Sequence, residues 1–295
     1  MHQRGFELAR VLGVEPEPPL VRSRAVAALT AGDFPAARGA AEKLRARGER
    51  QHDDVLLVEA AWILAIADYW SGELEHARRQ LETALAYWRP EHRAEHLLHY
   101  GQDTELTCRI RLAHTLWLLG DRDAAARTRD AAVADAREHP HTRAIVHVWA
   151  ALIALDERDE PAVRAHARVV SEYARGPAER AGEALAGFVA VLDGDHERGC
   201  ERIRRCADAA EQGEPAAPGE RGLLLRILVE ACAVAGDAPG GLEAAERALR
   251  TTNAAQPWTA EITRLERAFR AQERFGNGWP SRMAPIPDDL PDHHI

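Results

Sequence analysis

The run EHRAEHLLHYGQD concentrates the side chains most able to do chemistry: His92, His96, His99 and Asp103. His92 and His96 stand one helical turn apart, a workable spacing for a shared metal ion. The run is not an H-E-x-x-H motif and no cysteine is near it. Solvent-facing histidines are therefore expected, with no metal site. The end of the run, Tyr100-Gly101-Gln102-Asp103, reads first as a turn at Gly101. Asp103 then caps the next helix and Glu105 sits in its first turn, where a negative charge suits the dipole. A functional reading places Tyr100 and Gln102 on the rim of a binding groove.

Catalytic machinery is not expected. The chain has 47 acidic residues and 14 histidines, so carboxylate and imidazole pairs arise by chance. It has no serine nucleophile elbow, no cysteine with a motif histidine and no glycine-rich dinucleotide fingerprint after a strand. Lys43 is the sole lysine and follows Glu42, which excludes the phosphate-cradling G-x-x-x-x-G-K-[ST] loop. Schiff-base chemistry would rest on that one residue, among Arg and Glu on a surface helix. Cys108, Cys200, Cys206 and Cys232 form no C-x-x-C pair and read as core fillers in a reducing compartment. No cofactor is implied.

The elements that position these residues are set by a recurring turn: Gly32-Asp33, Gly72-Glu73, Gly120-Asp121, Gly194-Asp195 and Gly236-Asp237. A degenerate copy, Asp156-Glu157-Arg158-Asp159, fills the gap, and with Glu157 as its mark the steps are 40, 48, 37, 37 and 42 residues. That period signals one supersecondary unit copied in tandem. Small residues recur seven before the mark (Ala25, Ala65, Ala113, Ala150, Gly187) and five after it (Ala37, Ala77, Ala125, Ala162, Gly199, Gly241). They let two helices approach closely as an antiparallel hairpin. The glycine ends the first helix in a left-handed conformation and the Asp caps the second. Pro35, Pro161 and Pro239 fall in the first turn of the second helix, where a missing N–H is tolerated.

Six helix pairs are expected at 21–48, 53–89, 103–138, 141–175, 177–212 and 219–252, with Pro90 to Gln102 as the longest insertion. Residues 1–20 read as a short helix and a Pro-rich lead-in. Residues 258–275 read as an amphipathic capping helix with Trp258, Ile262, Leu265 and Phe269 on one face. The Gly-, Pro- and Asp-rich tail 276–295 reads as disordered. The net charge of −9 opposes non-specific nucleic-acid binding, which needs a basic stripe. No apolar run reaches the roughly 20 residues that span a bilayer, and the N-terminus lacks a signal-peptide shape, so a cytoplasmic chain is expected.

The register resembles the tetratricopeptide repeat, best in GELEHARRQLETAL (Gly72 to Leu85) and GDAPGGLEAAERAL (Gly236 to Leu249). The resemblance implies an all-α, right-handed α-solenoid of about six helix pairs plus the cap, over 21–275. In such a stack the first helices line the concave face, thirteen, ten, six and three residues before the mark. The inward set is then Glu59, Trp62, Ile66 and Tyr69; Thr107, Ile110, His114 and Trp117; Ala144, His147, Ala151 and Ala154. It continues with Ala181, Ala184, Phe188 and Val191, and with Leu223, Arg226, Glu230 and Ala233. The groove is thus expected to be apolar and aromatic, with His114 and His147 as polar points and Arg226/Glu230 toward one end. The alternative is that these side chains simply pack against one another.

The segment Glu91 to Ala125 also resembles the C-terminal helical-repeat regions of bacterial ATPase-type transcriptional activators and cyclase-like signalling proteins. Tyr100 to Asp103, Trp117 to Gly120, Asp121 and Ala125 carry that likeness. It implies a cytoplasmic, non-catalytic sensor or interaction module, stand-alone or part of a longer regulator. A peptide or protein partner would dock on the concave face. A small organic effector in the same groove is the alternative. Shape discriminates between them: an open arc suits a peptide, and a closed coil around an aromatic cavity suits a small molecule.

Overall fold

The computed structural model describes residues 11 and 13–275, except 137, 214–216, 218 and 252–256. Among them every regular element is helical. The α-helices are α1 (Pro18–Ala31), α2 (Phe34–Gln51), α3 (Asp54–Trp70), α4 (Leu74–Tyr87), α5 (Arg93–Tyr100), α6 (Thr104–Leu118) and α7 (Arg122–Asp135). They continue as α8 (Pro140–Glu157), α9 (Glu160–Tyr173), α10 (Glu179–Leu192), α11 (His196–Gln212), α12 (Glu220–Ala235), α13 (Ala238–Thr251) and α14 (Thr259–Phe275). Most of the lead-in expected over 1–20 and the whole tail expected over 276–295 lie outside the described residues.

The turns form as their residues dictate. All five marked glycines have positive φ, from 72° at Gly236 to 91° at Gly194. The N–H after each reaches back to the carbonyl four residues before the glycine, as in Asp33 to Ala28 at 2.8 Å and Asp121 to Leu116 at 3.0 Å. This closure satisfies carbonyls that the helix end leaves open. Asp33, Asp121 and Asp237 then accept from the backbone N–H three residues on, at 3.0–3.1 Å. Glu73 and Asp195 make no such cap.

The fourth turn corrects the register. Its left-handed residue is Arg158, at φ 59°, and not Glu157. Asp159 N–H closes on Ala154 O at 2.9 Å, and the Asp159 carboxylate accepts from Ala162 N–H at 3.0 Å. Arg158 is therefore the equivalent of the glycine. Each inward position in α8 shifts by one residue, about 100° around the helix.

Helices pack on their chain neighbours, except that α4 packs on α6 past α5, and the first helix of each pair also touches the first helix of the next: α1–α3–α6–α8–α10–α12–α14. The small positions allow close approach. A Cβ on Gly199 of α11 would lie 2.6 Å from the Gly187 carbonyl of α10. Pro90 to Gln102 is not a plain loop. A 3-10 turn (Pro90–His92) leads into α5, which brings His96 and Tyr100 against α1 and α3. Trp258, Ile262, Leu265 and Phe269 are all buried under α14. Trp258 reaches beyond a capping role. Its ring lies 5.3 Å from that of Trp70 in α3 and stacks on Trp149 of α8 at 6.2 Å. The C-terminal helix thus meets the second helix pair, and the inner face is folded onto itself.

Candidate functional site

The folded-in face leaves a pocket of about 280 Å³. Helices from nearly the whole chain wall it: Arg22 and Val26 of α1, Trp62 and Ile66 of α3, Thr107 and Arg111 of α6, Ile145, Val148 and Trp149 of α8, Ala181 of α10, and Glu220 and Leu223 of α12. Tyr100, Gly101, Gln102, His141, Ala178 and Ala217 complete it. Apolar and aromatic walls with few polar groups are typical of small-ligand sites.

The unpartnered buried polar atoms of this wall are all donors. Arg22 Nη2, Trp62 Nε1, Gln102 Nε2 and Arg111 Nε are buried donors without a hydrogen-bond partner. No buried side-chain acceptor among the described lining residues is left in that state. Arg22 gives its Nε to Glu59 at 2.8 Å and lays its guanidinium 4.7 Å over Trp62. Glu220 is gripped by Arg180 through two bonds of 2.7 and 2.8 Å, so its charge is matched. Arg111 differs. It is 5 % exposed, and no described carboxylate lies within ion-pair distance of it. Its guanidinium instead stacks over Trp149 at 3.7 Å and Tyr69 at 4.2 Å. Burial pushes Arg111 down to about 10, which still leaves it cationic at neutral pH.

Beside the pocket lie two buried polar clusters in which each charged side chain meets an opposite charge, although His96 Nε2 and Arg226 Nε stay without a hydrogen-bond partner. Glu59, wholly buried, accepts from Arg22, bonds His96 Nδ1 at 2.7 Å and accepts from Thr104 Oγ1 at 2.6 Å. Burial raises its carboxyl, but Arg22, His96 and Thr104 lower it further, leaving it below its ordinary range. Glu59 thereby ties α1, α5 and α6 to α3. The second cluster runs across the pairs. Tyr69 OH bonds His114 Nδ1 at 2.7 Å, and His114 Nε2 faces Asp156 at 3.3 Å. Arg226 donates to Asp156 at 2.6 Å and to Glu230 at 3.1 Å. Arg158 then joins Glu230, at 2.5 Å, to Glu261 of α14, at 2.8 Å. Burial lowers His114 more than Asp156 raises it, so its ring stays neutral. Burial raises Asp156, but Arg226 and His114 outweigh it and hold the carboxyl at about 2. Tyr-His-Asp is the order of a proton relay. Here none of the three reaches the pocket wall, and the chain of bonds joins helices.

The residues expected to face a groove divide accordingly. Trp62, Ile66, Tyr100 and Gln102 line the pocket, as do Thr107, Ala181 and Leu223 from the wider inward set. Tyr69, His114, Arg226 and Glu230 are sealed in the second cluster. Phe188 is wholly buried in the core. Trp117 lies near the turn with Arg122 stacked 3.4 Å over its ring, away from the pocket. His147 faces α9, its Nδ1 3.0 Å from His166 Nδ1. The register shift explains this. Counting from Arg158, the inward positions of α8 are Ile145, Val148, Leu152 and Leu155, of which the first two are on the pocket wall and the last two are buried. Burial, then the His166 and Arg143 charges, push His147 down to about 4.

Arg111 and Trp149 were not among the expected residues. Both stand nine before their turn residue, and that shared position is the signal that could have found them. The histidine run also departs from expectation. His99 is exposed, but His96 is 1 % exposed and held by Glu59. The run also spells H-x-x-E-H at His92, Glu95 and His96, an order some zinc peptidases use. Glu95 is exposed while His96 is turned inward, and no group of three metal-ligating side chains occurs among the described residues. Among them, no helix is long and apolar enough to cross a membrane.

No protein-family model, curated protein or solved structure matches the chain.

Proposed function

We propose that this chain is a non-catalytic helical-repeat sensor module that binds a small organic effector in the pocket between Trp62, Arg111 and Trp149. The finer fold reading belongs with it: a right-handed, tetratricopeptide-like solenoid of about six pairs, coiled tightly enough to enclose its inner face. The observation that carries the proposal is the pocket's construction from α1, α3, α6, α8, α10 and α12 together. An occupant there touches most of the helix pairs at once. Its binding would favour one coil geometry over others, which is how a repeat domain turns occupancy into a signal. A peptide partner needs a longer, open groove, and here Tyr69, His114 and Phe188 are packed shut. The likeness of Glu91 to Ala125 to regulator repeat regions supports a cytoplasmic, bacterial signalling role. In that setting the output is transcriptional or enzymatic control by an attached or separate domain.

A fragment screen read by tryptophan fluorescence tests the proposal, because Trp62 and Trp149 line the pocket. Hits should change the emission and be lost in Ala181→Phe, which fills the pocket from α10. Hits that bind this variant unchanged would place the site elsewhere.

A further inference from the structure

We infer that the pocket takes a small organic monoanion: a carboxylic acid whose carboxylate meets Arg111 and whose apolar body lies between Trp62, Ile66, Ile145 and Trp149. The inference rests on the small-effector reading and deepens it. Its first support is the sign of the unpartnered groups. Four lining residues hold buried donors without partners, and such groups are costly to leave unmatched. An occupant rich in acceptors would satisfy them. An amine would face the same donors, and the one carboxylate on the wall, Glu220, is already held by Arg180.

The second support is the charge count. Arg22 is neutralised by Glu59, and Arg180 by Glu220. Arg111 alone among the lining arginines has no carboxylate, so the wall carries one uncompensated positive charge. One charge matches a carboxylate and falls short of a phosphate dianion. A guanidinium also offers the planar fork that a carboxylate fits. The third support is shape. Arg111 is held flat by Trp149 and Tyr69 at 3.7 and 4.2 Å, which fixes its orientation before a ligand arrives. The remaining wall is largely apolar and suits an aromatic or branched body.

Four probes with one body and different heads test this on the full chain: phenylacetate, phenylacetamide, phenethylamine and phenyl phosphate, titrated by calorimetry and ligand-observed NMR. Phenylacetate should bind about 10-fold or more tightly than phenylacetamide, the scale of a charge-assisted hydrogen bond. Arg111→Met should erase that preference and leave the amide's affinity within about twofold. Arg111→Lys should keep part of it, and circular dichroism should confirm that both variants are folded. The inference is overturned if the amide or amine binds as well as the acid, if phenyl phosphate binds tighter than the acid, or if the acid preference survives Arg111→Met. In each of these outcomes the small-effector reading still stands. Failure of all four probes to bind overturns both.

Discussion

Two buried polar regions lie within one inner face and are treated differently. In the Tyr69–His114–Asp156–Arg226–Glu230 chain, each charged side chain meets an opposite charge or a hydrogen bond. On the pocket wall, Arg111 meets only aromatic faces, and its neighbours hold donors turned to nothing. The first arrangement joins helices far apart in sequence: Tyr69 lies in α3 and Glu230 in α12. The second joins helices by stacking, Arg111 of α6 lying over Tyr69 of α3 and Trp149 of α8, and leaves its cation open to an acceptor from outside. Ion-paired side chains mark structure, and a buried cation without a carboxylate beside a cavity marks a site.

The largest effect that would separate the regions comes from Asp156→Ala. It removes the carboxylate on which Arg226 and His114 converge and should cost about 3–5 kcal/mol in urea unfolding, as expected when a buried pair loses one member. A loss below about 1 kcal/mol would erase the contrast with the pocket wall.

Acid titration sharpens the same contrast. Asp156 is held at about 2 against an ordinary value of 3.8, so its stabilisation is complete above 3.8 and is lost as pH falls toward 2. His147 is held neutral, at about 4 against 6.5, so its contribution is complete above 6.5 and is lost as pH falls through 4. Acid destabilisation should therefore begin in the His147 window and deepen in the Asp156 window. His147→Gln should shrink the first, which the buried His114 shares, and Asp156→Asn should flatten the second. Arg111, at about 10, does not titrate in either range.

Tyr69→Phe is a smaller cut into the paired chain. It removes the hydroxyl that meets His114 at 2.7 Å and should cost about 1 kcal/mol in the same unfolding assay. The smallest expected change is from Arg111→Met. Unpaired burial of the cation opposes its stacking on Trp149 and Tyr69, so stability should move by no more than about 1 kcal/mol in either direction. A loss above about 3 kcal/mol would class Arg111 with Arg226 as a structural member of the fold.

Much of the architecture was legible because turns are local. Gly32, Gly72, Gly120, Gly194 and Gly236 end helices through their own backbone freedom, and Asp33, Asp121 and Asp237 cap the next helix over three residues. Inward positions counted from those glycines fell on the pocket wall at Trp62, Ile66, Thr107, Ala181 and Leu223. The register slipped where a glycine is missing. Arg158 takes the left-handed conformation in its place, and a one-residue error turned attention from Ile145 and Val148 to His147. The position three before Gly120, Trp117, lies by the turn and not on the pocket.

The amino-acid order by itself determined the all-helical fold, the period of its turns and most of the helix faces that turn inward, since these depend on contacts within a few residues. Tertiary structure alone decided which inward side chains seal against one another and which border open space. That division depends on how closely α14 returns to α3, where Trp258 meets Trp70 across nearly 190 residues. Distant packing sealed Tyr69, His114, Phe188, Arg226 and Glu230, and left Arg111 buried at a cavity with no carboxylate partner among the described residues.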